Sequence, residues 1–114
     1  MAQDQMTIRE LTDQIHQMVQ AKGWLDGENA PNASPRNLAV SVAVEAAEVL
    51  EHFQWGDEYD PDGLAGELAD VAIYLFQLAD LVGVDLGQAV QDKIAVNMGR
   101  TWTRTASGGY EGDQ

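Results

Sequence analysis

Two pairs of carboxylates recur at a three-residue spacing in this sequence. Glu45 and Glu48 lie in the stretch VAVEAAEVLEHFQW, and Glu67 and Asp70 lie in ELADVAIY. Residues three apart are neighbours on a helix, and like charges at that spacing repel each other. Neither stretch contains Lys or Arg. Hard divalent cations that prefer carboxylate ligands, chiefly Mg²⁺, would neutralise such pairs.

The two pairs are predicted to lie at matching depths on neighbouring helices. The linker GDEYD is short, which favours an antiparallel arrangement of the helices that it joins. Glu48 and Glu67 lie about 10 Å and about 9 Å along their helices from the ends next to this linker. Glu45 and Asp70 lie further in, at about 15 Å and about 13 Å. If the two faces meet, the four carboxylates form one cluster.

Other interpretations of the carboxylates remain open at this point. A single Glu-x-x-Glu pair is common on a solvated helix face. The protein could therefore be an acidic helical oligomerisation or adaptor protein without catalysis. A di-iron bundle needs Glu-x-x-His on two helices. His52 follows Glu48 at the fourth position and the third predicted helix has no His, so that interpretation is set aside.

Basic residues concentrate in the fourth predicted helix. Lys93, Arg100 and Arg104 follow offsets of seven and four, which place them on one side, with Asn97 between the first two. They are either a solvated face near a helix C-terminus, where cations are favourable, or a cradle for phosphate oxygens.

Two of the three tryptophans are candidates to stack a nucleobase. Trp24 lies in the loop of residues 23–34, and Trp55 shares a side of the second predicted helix with Glu48. Trp102 is expected to pack, because tryptophan is more often part of a core or interface.

Helical periodicity and capping residues predict four helices and an all-α fold. Their predicted limits are about 8–22, 35–55, 61–82 and 86–104. No repeat or convincing strand is visible. Residues 1–104 are predicted to form one domain, and residues 105–114 a flexible C-terminal tail. The third helix is apolar on every side, which predicts burial on most faces, partly against another subunit.

Composition excludes several classes of function. The 114 residues include 19 acids and 6 bases, a net charge of -13, which argues against general binding to nucleic acid. The absence of cysteine excludes disulfides and thiolate metal sites. No signal peptide and no apolar run of membrane-spanning length is visible, so we expect a cytoplasmic protein without membrane contact.

Several of these segments together resemble the MazG-like nucleoside triphosphate pyrophosphohydrolases, and in particular their dCTP pyrophosphatase-like branch. The resemblance covers about residues 8–104. Its motifs are Pro35-Arg36-Asn37-Leu38, Glu45-x-x-Glu48, Glu51, Phe53-Gln54-Trp55, Glu67-Leu68-Ala69-Asp70 and Lys93-x-x-x-Asn97.

The resemblance implies a four-helix MazG-like bundle that assembles as a homodimer or a dimer of dimers. It implies Mg²⁺-dependent hydrolysis, with Mn²⁺ as a substitute, between the α- and β-phosphates of a nucleoside triphosphate. The expected role is cleansing of the nucleotide pool, with control of a pathway as the alternative that the sequence leaves open. By position, the implied site residues are Glu45, Glu48, Glu67 and Asp70 for the metal, Lys93, Asn97 and Arg100 for phosphate, and Trp24, Asn37 and Trp55 for the base and sugar.

The sequence departs from the family pattern in two places. Many relatives have a further Glu, a candidate general base, where this chain has Val44. Glu48 and Glu51 are the remaining candidates for that catalytic role. Cytosine-preferring relatives often have His-Gln before the Pro-Arg-Asn motif, where this chain has Ala33 and Ser34. The preferred base therefore stays open, and phosphoribosyl-ATP pyrophosphohydrolase is an alternative of related fold.

Overall fold

The predicted helix starts are present in the computed structural model, which describes residues 5–25, 30–100, 102–105 and 108–112. Thr7 and Glu10 exchange hydrogen bonds in a capping box, with Thr7 Oγ1 accepting from the Glu10 N–H at 3.1 Å. Ser34, Asp60 and Asp85 each accept a hydrogen bond from the backbone N–H three residues later. The helices are α1 (Ile8–Ala21), α2 (Pro35–Glu51), α3 (Pro61–Leu81) and α4 (Leu86–Met98).

Glycines end α1 and α3. Gly23 and Gly83 have φ values of 73° and 77°, in the left-handed region that favours glycine. Beyond Gly23, the Trp24 N–H donates to Val19 O at 3.1 Å; beyond Gly83, the Val84 N–H donates to Ala79 O at 2.8 Å. Both patterns are Schellman motifs, which fix the direction of the chain after the helix.

The second helix ends earlier than predicted, at Glu51 rather than Trp55. Residues 52–54 donate their backbone N–H groups to carbonyls three residues back, as in His52 to Val49 at 3.2 Å and Phe53 to Leu50 at 2.9 Å. This tighter pattern is common where a helix terminates. Trp55 consequently leaves the helical face that it was predicted to share with Glu48.

The fourth helix also ends earlier, at Met98 rather than Arg104. Gly99 and Arg100 donate to carbonyls three residues back, and glycine is a poor helix former. Two short strands that were not predicted follow, β1 (Trp102–Arg104) and β2 (Tyr110–Gly112), and they pair antiparallel. The prediction that Arg100 and Arg104 continue the helical face of Lys93 is therefore wrong.

The chain divides into two compact units, Met1–Val84 and Asp85–Gln114. The first contains α1, α2, α3 and a 3₁₀ turn at Pro31–Ala33; the second contains α4 and the two strands. The four helices confirm the all-α class. The domain of residues 1–104 with a flexible tail stays a prediction, and residues 106, 107, 113 and 114 of that tail lie outside the described residues.

In the first unit, α3 packs against both α1 and α2, and the 3₁₀ turn packs against α2. Val19, Leu38 and Ala79 are the buried hydrophobic residues of the described part of the chain. The predicted burial of α3 on most faces is not reached within one chain, because Leu68 and Leu75 are 52% and 39% exposed.

No helix among the described residues is both long and apolar enough to cross a membrane.

Candidate functional site

Helices α2 and α3 bring the predicted carboxylates together. One oxygen from each of Glu45, Glu67 and Asp70 lies within 4.8 Å of the others, close enough to hold one metal ion. At the linker end of the same helices, His52 lies against Gly63, so α2 and α3 run antiparallel as the linker predicted. The matching depths of the two carboxylate pairs along their helices therefore correctly predicted that Glu45 lies near Glu67 and Asp70.

Glu48 completes this group, which we call the carboxylate cluster: Glu45, Glu48, Glu67 and Asp70. Its carboxyl group interacts with those of Glu45 and Glu67 and raises the pKa of both. A hydrogen bond between two carboxyl groups requires a proton on one of them. Glu48 therefore interacts with one acid of its own helix and with one acid of α3.

Electrostatics shows that the carboxylate cluster is unfavourable as a set of bare anions. The hydrogen bond with Glu48, then burial, then the negative charges of Glu48, Asp70 and Glu67 raise the pKa of Glu45 to about 6. The pKa of Glu67 is also raised, again first by the hydrogen bond with Glu48. Mutual repulsion favours the protonated forms, so a bound cation would compete with protons for these oxygens.

Two oxygens of the carboxylate cluster have no hydrogen-bond partner. Oε2 of Glu45 and Oε2 of Glu67 are inaccessible to solvent, although both residues are only half-buried overall. A buried carboxylate oxygen without a donor is costly, and such groups are usually paired or bound to a metal. The donor set, its closeness and these two oxygens together fit a divalent cation.

Glu51 is the second candidate for the general base. It is the last residue of α2 and it is exposed. Of the two candidates for the general base, Glu48 is the one that interacts with Glu45 and Glu67.

Two of the three residues predicted to border the base and sugar line one cavity. Trp24 and Asn37 face a cavity of about 420 Å³, together with Ser41 of α2 and Tyr74 of α3. We call it the Trp24 cavity; its remaining lining residues are Asn32, Leu38 and Val40. An indole and a phenol beside amide and hydroxyl groups are the components with which proteins bind a flat heterocycle.

Trp55 does not line the Trp24 cavity. Its side chain is 92% exposed, and it borders a separate hollow of about 470 Å³ with His52, Gly56, Asp57 and Glu58. The early end of α2 at Glu51 is the reason, because it releases Trp55 from the helix.

The predicted phosphate contacts belong to the second unit. Lys93 and Asn97 lie one turn apart on α4, exposed and half-buried respectively. Arg100 lies beyond the end of α4, where its N–H donates to Asn97 O at 3.3 Å. Their role with phosphate stays a prediction.

A buried amide pair, Asn32 and Gln77, was not predicted from the sequence. Asn32 Nδ2 donates a hydrogen bond to Gln77 Oε1 of α3, and Asn32 is 7% exposed. Asparagine in a Pro-Asn-Ala-Ser segment is typical of a turn, so its type carried no signal of burial. Gln77 did carry one, as a polar side chain within a nearly apolar helix.

Comparison with known proteins identifies the family. Residues 40–108, more than half of the chain, match the MazG-like family. The chain belongs to the MazG-like family. The resemblance drawn from the sequence motifs is therefore confirmed at the level of the family.

Two solved structures share the fold over most of the MazG-like chain. One is a cyanophage S-2L MazG-like pyrophosphohydrolase bound to dGDP and three catalytic Mn²⁺ ions per active site. It has a TM-score of 0.71 and 26% identity, and the match covers 96% of this chain and 100% of that one. The other is a pyrophosphatase from Archaeoglobus fulgidus, with a TM-score of 0.66, 32% identity and coverage of 85% and 94%.

Characterised relatives match over shorter stretches. The dCTP pyrophosphatase 1 of Mus musculus is 40% identical over 76 residues, which cover 58% of this chain and 45% of the mouse protein. A dATP/dGTP diphosphohydrolase of Salmonella phage PMBT28 is 47% identical over 47 residues, which cover 41% of this chain and 16% of the phage protein. The chain thus spans less than half the length of either relative.

Proposed function

We propose that this chain is a nucleoside triphosphate pyrophosphohydrolase that acts on a deoxynucleoside triphosphate. It would cleave between the α- and β-phosphates and release a nucleoside monophosphate and pyrophosphate. The observation that carries the proposal is the convergence of Glu45, Glu67 and Asp70, with two buried carboxylate oxygens that lack hydrogen-bond partners. Membership of the MazG-like family and the named activities of its relatives support the same reaction.

The cofactor of this proposal is Mg²⁺, with Mn²⁺ as a substitute, held by Glu45, Glu67 and Asp70 with Glu48 beside them. Carboxylate oxygens are the ligands that both ions prefer. When bound, such a cation neutralises the triphosphate and stabilises the charge that develops as the anhydride breaks. The Mn²⁺ ions of the cyanophage protein support a divalent metal in this site.

The proposed reaction is hydrolysis by an attacking water. Its oxygen forms a bond to the α-phosphorus, the bond from that phosphorus to the α–β bridging oxygen breaks, and pyrophosphate leaves. The proton of the water needs an acceptor close to the carboxylate cluster. Glu48 is the first candidate, because its carboxyl group interacts with Glu45 of its own helix and with Glu67 of α3, and Glu51 is the second.

Residues of three kinds are proposed to contact the nucleotide. Trp24 and Asn37 border the cavity that would take the base and sugar. Trp55 stays a predicted contact from the family motif alone. Lys93, Asn97 and Arg100 are proposed to contact phosphate oxygens, since cations and an amide donor suit that role.

We also propose that the chain works as a homodimer or homotetramer. A groove of about 740 Å³ between α1 and α3 has Leu11, Met18 and Ile73 among its lining. Leu11 and Met18 are 37% and 39% exposed, which favours coverage by another surface. Light scattering during gel filtration measures the assembly. A cytoplasmic location, and a role in cleansing the nucleotide pool, belong to the same proposal.

The reaction is tested by incubating the protein with each deoxynucleoside and ribonucleoside triphosphate in the presence of Mg²⁺ or Mn²⁺. We expect a nucleoside monophosphate and pyrophosphate in equal amounts. Orthophosphate with a diphosphate, or no reaction with any nucleotide, contradicts the proposal. Phosphoribosyl-ATP in the same panel tests the related pyrophosphohydrolase. Relatives act on dCTP or on dATP and dGTP by name, so the panel also decides the base.

Thermal melts distinguish this enzyme from an adaptor protein whose carboxylates face solvent. A cation that binds only the folded state at 100 times its Kd stabilises it by about 2.7 kcal/mol. We expect Mg²⁺ to raise the melting temperature by roughly 5–15 °C. The increase should be lost in Glu45→Gln/Glu67→Gln, whereas an equal increase in that variant points to binding elsewhere.

A further inference from the structure

The amide pair of Asn32 and Gln77 joins two parts of the first unit that are far apart in the sequence. Asn32 is the buried polar residue of the described part of the chain, in the 3₁₀ turn that precedes α2. Its side-chain N–H group donates to the side-chain oxygen of Gln77, near the end of α3. Burying an amide without a partner costs about 1–3 kcal/mol, so each side chain strongly favours the position that keeps this bond.

The backbone of Asn32 holds the segment that carries Trp24. The Asn32 N–H donates to Trp24 O at 3.3 Å, and the Trp24 N–H donates to Val19 O at 3.1 Å. Trp24 is thus held on one side by the end of α1 and on the other by Asn32. The Asn32 side chain in turn donates its hydrogen bond to Gln77, so Asn32 links the Trp24 backbone to α3.

Gln77 lies one helical turn after Tyr74, and residues three apart share a helix face. Tyr74 lines the Trp24 cavity, and Asn32 lines it too. Asn32 also lines a smaller cavity of about 230 Å³, which Gln77 borders as well. The amide pair therefore forms part of the partition between the two cavities and connects the Trp24 wall of the larger one to its Tyr74 wall.

We propose that Asn32 and Gln77 are positioning residues for nucleotide binding. Their hydrogen bond holds Trp24 at the cavity before the base arrives, so binding does not have to fix the position of the indole. A preorganised site binds more tightly because this entropic cost is removed. The inference rests on the proposed function, since it assigns the Trp24 cavity to the base, and it concerns KM rather than the chemical step.

The kinetic test compares Asn32→Ala, Gln77→Ala and the double variant with the wild type on its best triphosphate. We expect each single variant to raise KM by about tenfold, equivalent to about 1.4 kcal/mol, with kcat within about twofold of the wild type. The double variant should raise KM no further, because both changes remove the same bond. Unchanged KM, a loss confined to kcat, or multiplied effects in the double variant would overturn the proposal.

The matched control is Gln20→Ala, which removes an exposed amide from α1. We expect its KM and kcat to equal those of the wild type. A KM raised as much as in Asn32→Ala would show that loss of any amide in this region has the effect, and that outcome also overturns the proposal.

A second readout does not depend on catalysis. In a Trp55→Phe/Trp102→Phe background, Trp24 is the remaining tryptophan, and acrylamide quenching reports its accessibility. We expect Asn32→Ala and Gln77→Ala to raise the quenching constant by about twofold each, and the double variant by the same factor. No change in quenching overturns the positioning role. If the wild type hydrolyses no nucleotide, the proposed function fails, and quenching still decides whether the pair holds Trp24.

Discussion

The carboxylate cluster and the Trp24 cavity are built in different ways. The cluster takes all four acids from α2 and α3, two long helices that pack along each other. The cavity takes Trp24 from the segment after α1, Asn37 from α2 and Tyr74 from α3. The first needs only that two helices are in register, whereas the second also needs a loop to be held in place. In the proposed site, the metal ligands would therefore lie on two packed helices, whereas Trp24, which would border the base, lies after the end of α1.

The largest expected effect breaks the carboxylate cluster. Asp70→Asn keeps the shape of the side chain but removes the charge of one of the three converging residues. We expect turnover of the triphosphate to fall by about a thousandfold or more, since metal-dependent charge stabilisation supplies much of the acceleration. Circular dichroism should show an unchanged fold. Asp13→Asn, an exposed acid of α1, is the control and should keep full activity; full activity in Asp70→Asn would move the site elsewhere.

The next effect separates the two tryptophans. Trp24→Ala should raise KM by roughly 5- to 150-fold, because stacking on an aromatic side chain contributes about 1–3 kcal/mol per base. Trp55→Ala should raise KM less, because its side chain is 92% exposed and lies outside the Trp24 cavity. Steady-state kinetics on both variants checks the order. A larger increase in KM for Trp55→Ala than for Trp24→Ala would indicate that the base binds in the hollow beside Trp55 and not in the Trp24 cavity.

A smaller effect follows from the raised pKa values of Glu45, to about 6, and of Glu67. Divalent cations bind the deprotonated acids, so affinity for Mg²⁺ should fall as the pH falls through about 6, by about tenfold per pH unit for one displaced proton. The stability of the metal-free protein should change in the opposite direction, and fall as the pH rises. A raised folded-state pKa gives stability that is present below about 4.5 and is lost as the pH rises through about 6.

Two experiments check the predicted pH dependences of Mg²⁺ affinity and of metal-free stability. Calorimetric titration of Mg²⁺ between pH 5 and pH 8 measures affinity, and chelator-treated protein melted over the same range measures stability. Glu45→Gln should flatten the dependence of both on pH. A metal-free protein that becomes more stable as the pH rises through about 6 would contradict the assignment.

The smallest effect concerns the cap beside the Trp24 cavity. Ser34 Oγ accepts from the Asn37 N–H at 3.2 Å, so Ser34→Ala should lower the free energy of unfolding by about 1 kcal/mol. Because Asn37 lines the cavity, KM should rise slightly, by less than about threefold, while Mg²⁺ affinity stays unchanged. Chemical denaturation and kinetics measure the two. A change in Mg²⁺ affinity equal to the change in KM would show that the two regions are not independent.

Sequence patterns predicted the carboxylate cluster because every residue in it obeys a local rule. The caps Ser34 and Asp60 set where α2 and α3 begin, and the three-residue spacing sets which side chains share a face. A short linker then brings equal depths together. The predicted ends of α2 and α4 were wrong because Trp55 and Arg104 suit a helix by type. The tighter hydrogen bonding that ends α2 follows from no single residue type, whereas Gly99, a poor helix former, indicated the end of α4.

The sequence by itself thus determined the all-α class, the four helix starts and the neighbours Glu45, Glu67 and Asp70. Those features depend on contacts within a few residues or across one short turn. Only the tertiary structure decided that Trp55 leaves the helix and that Asn32 bonds to Gln77. The last pair is separated by 45 residues, and a long-range hydrogen bond has no periodicity by which a sequence could reveal it.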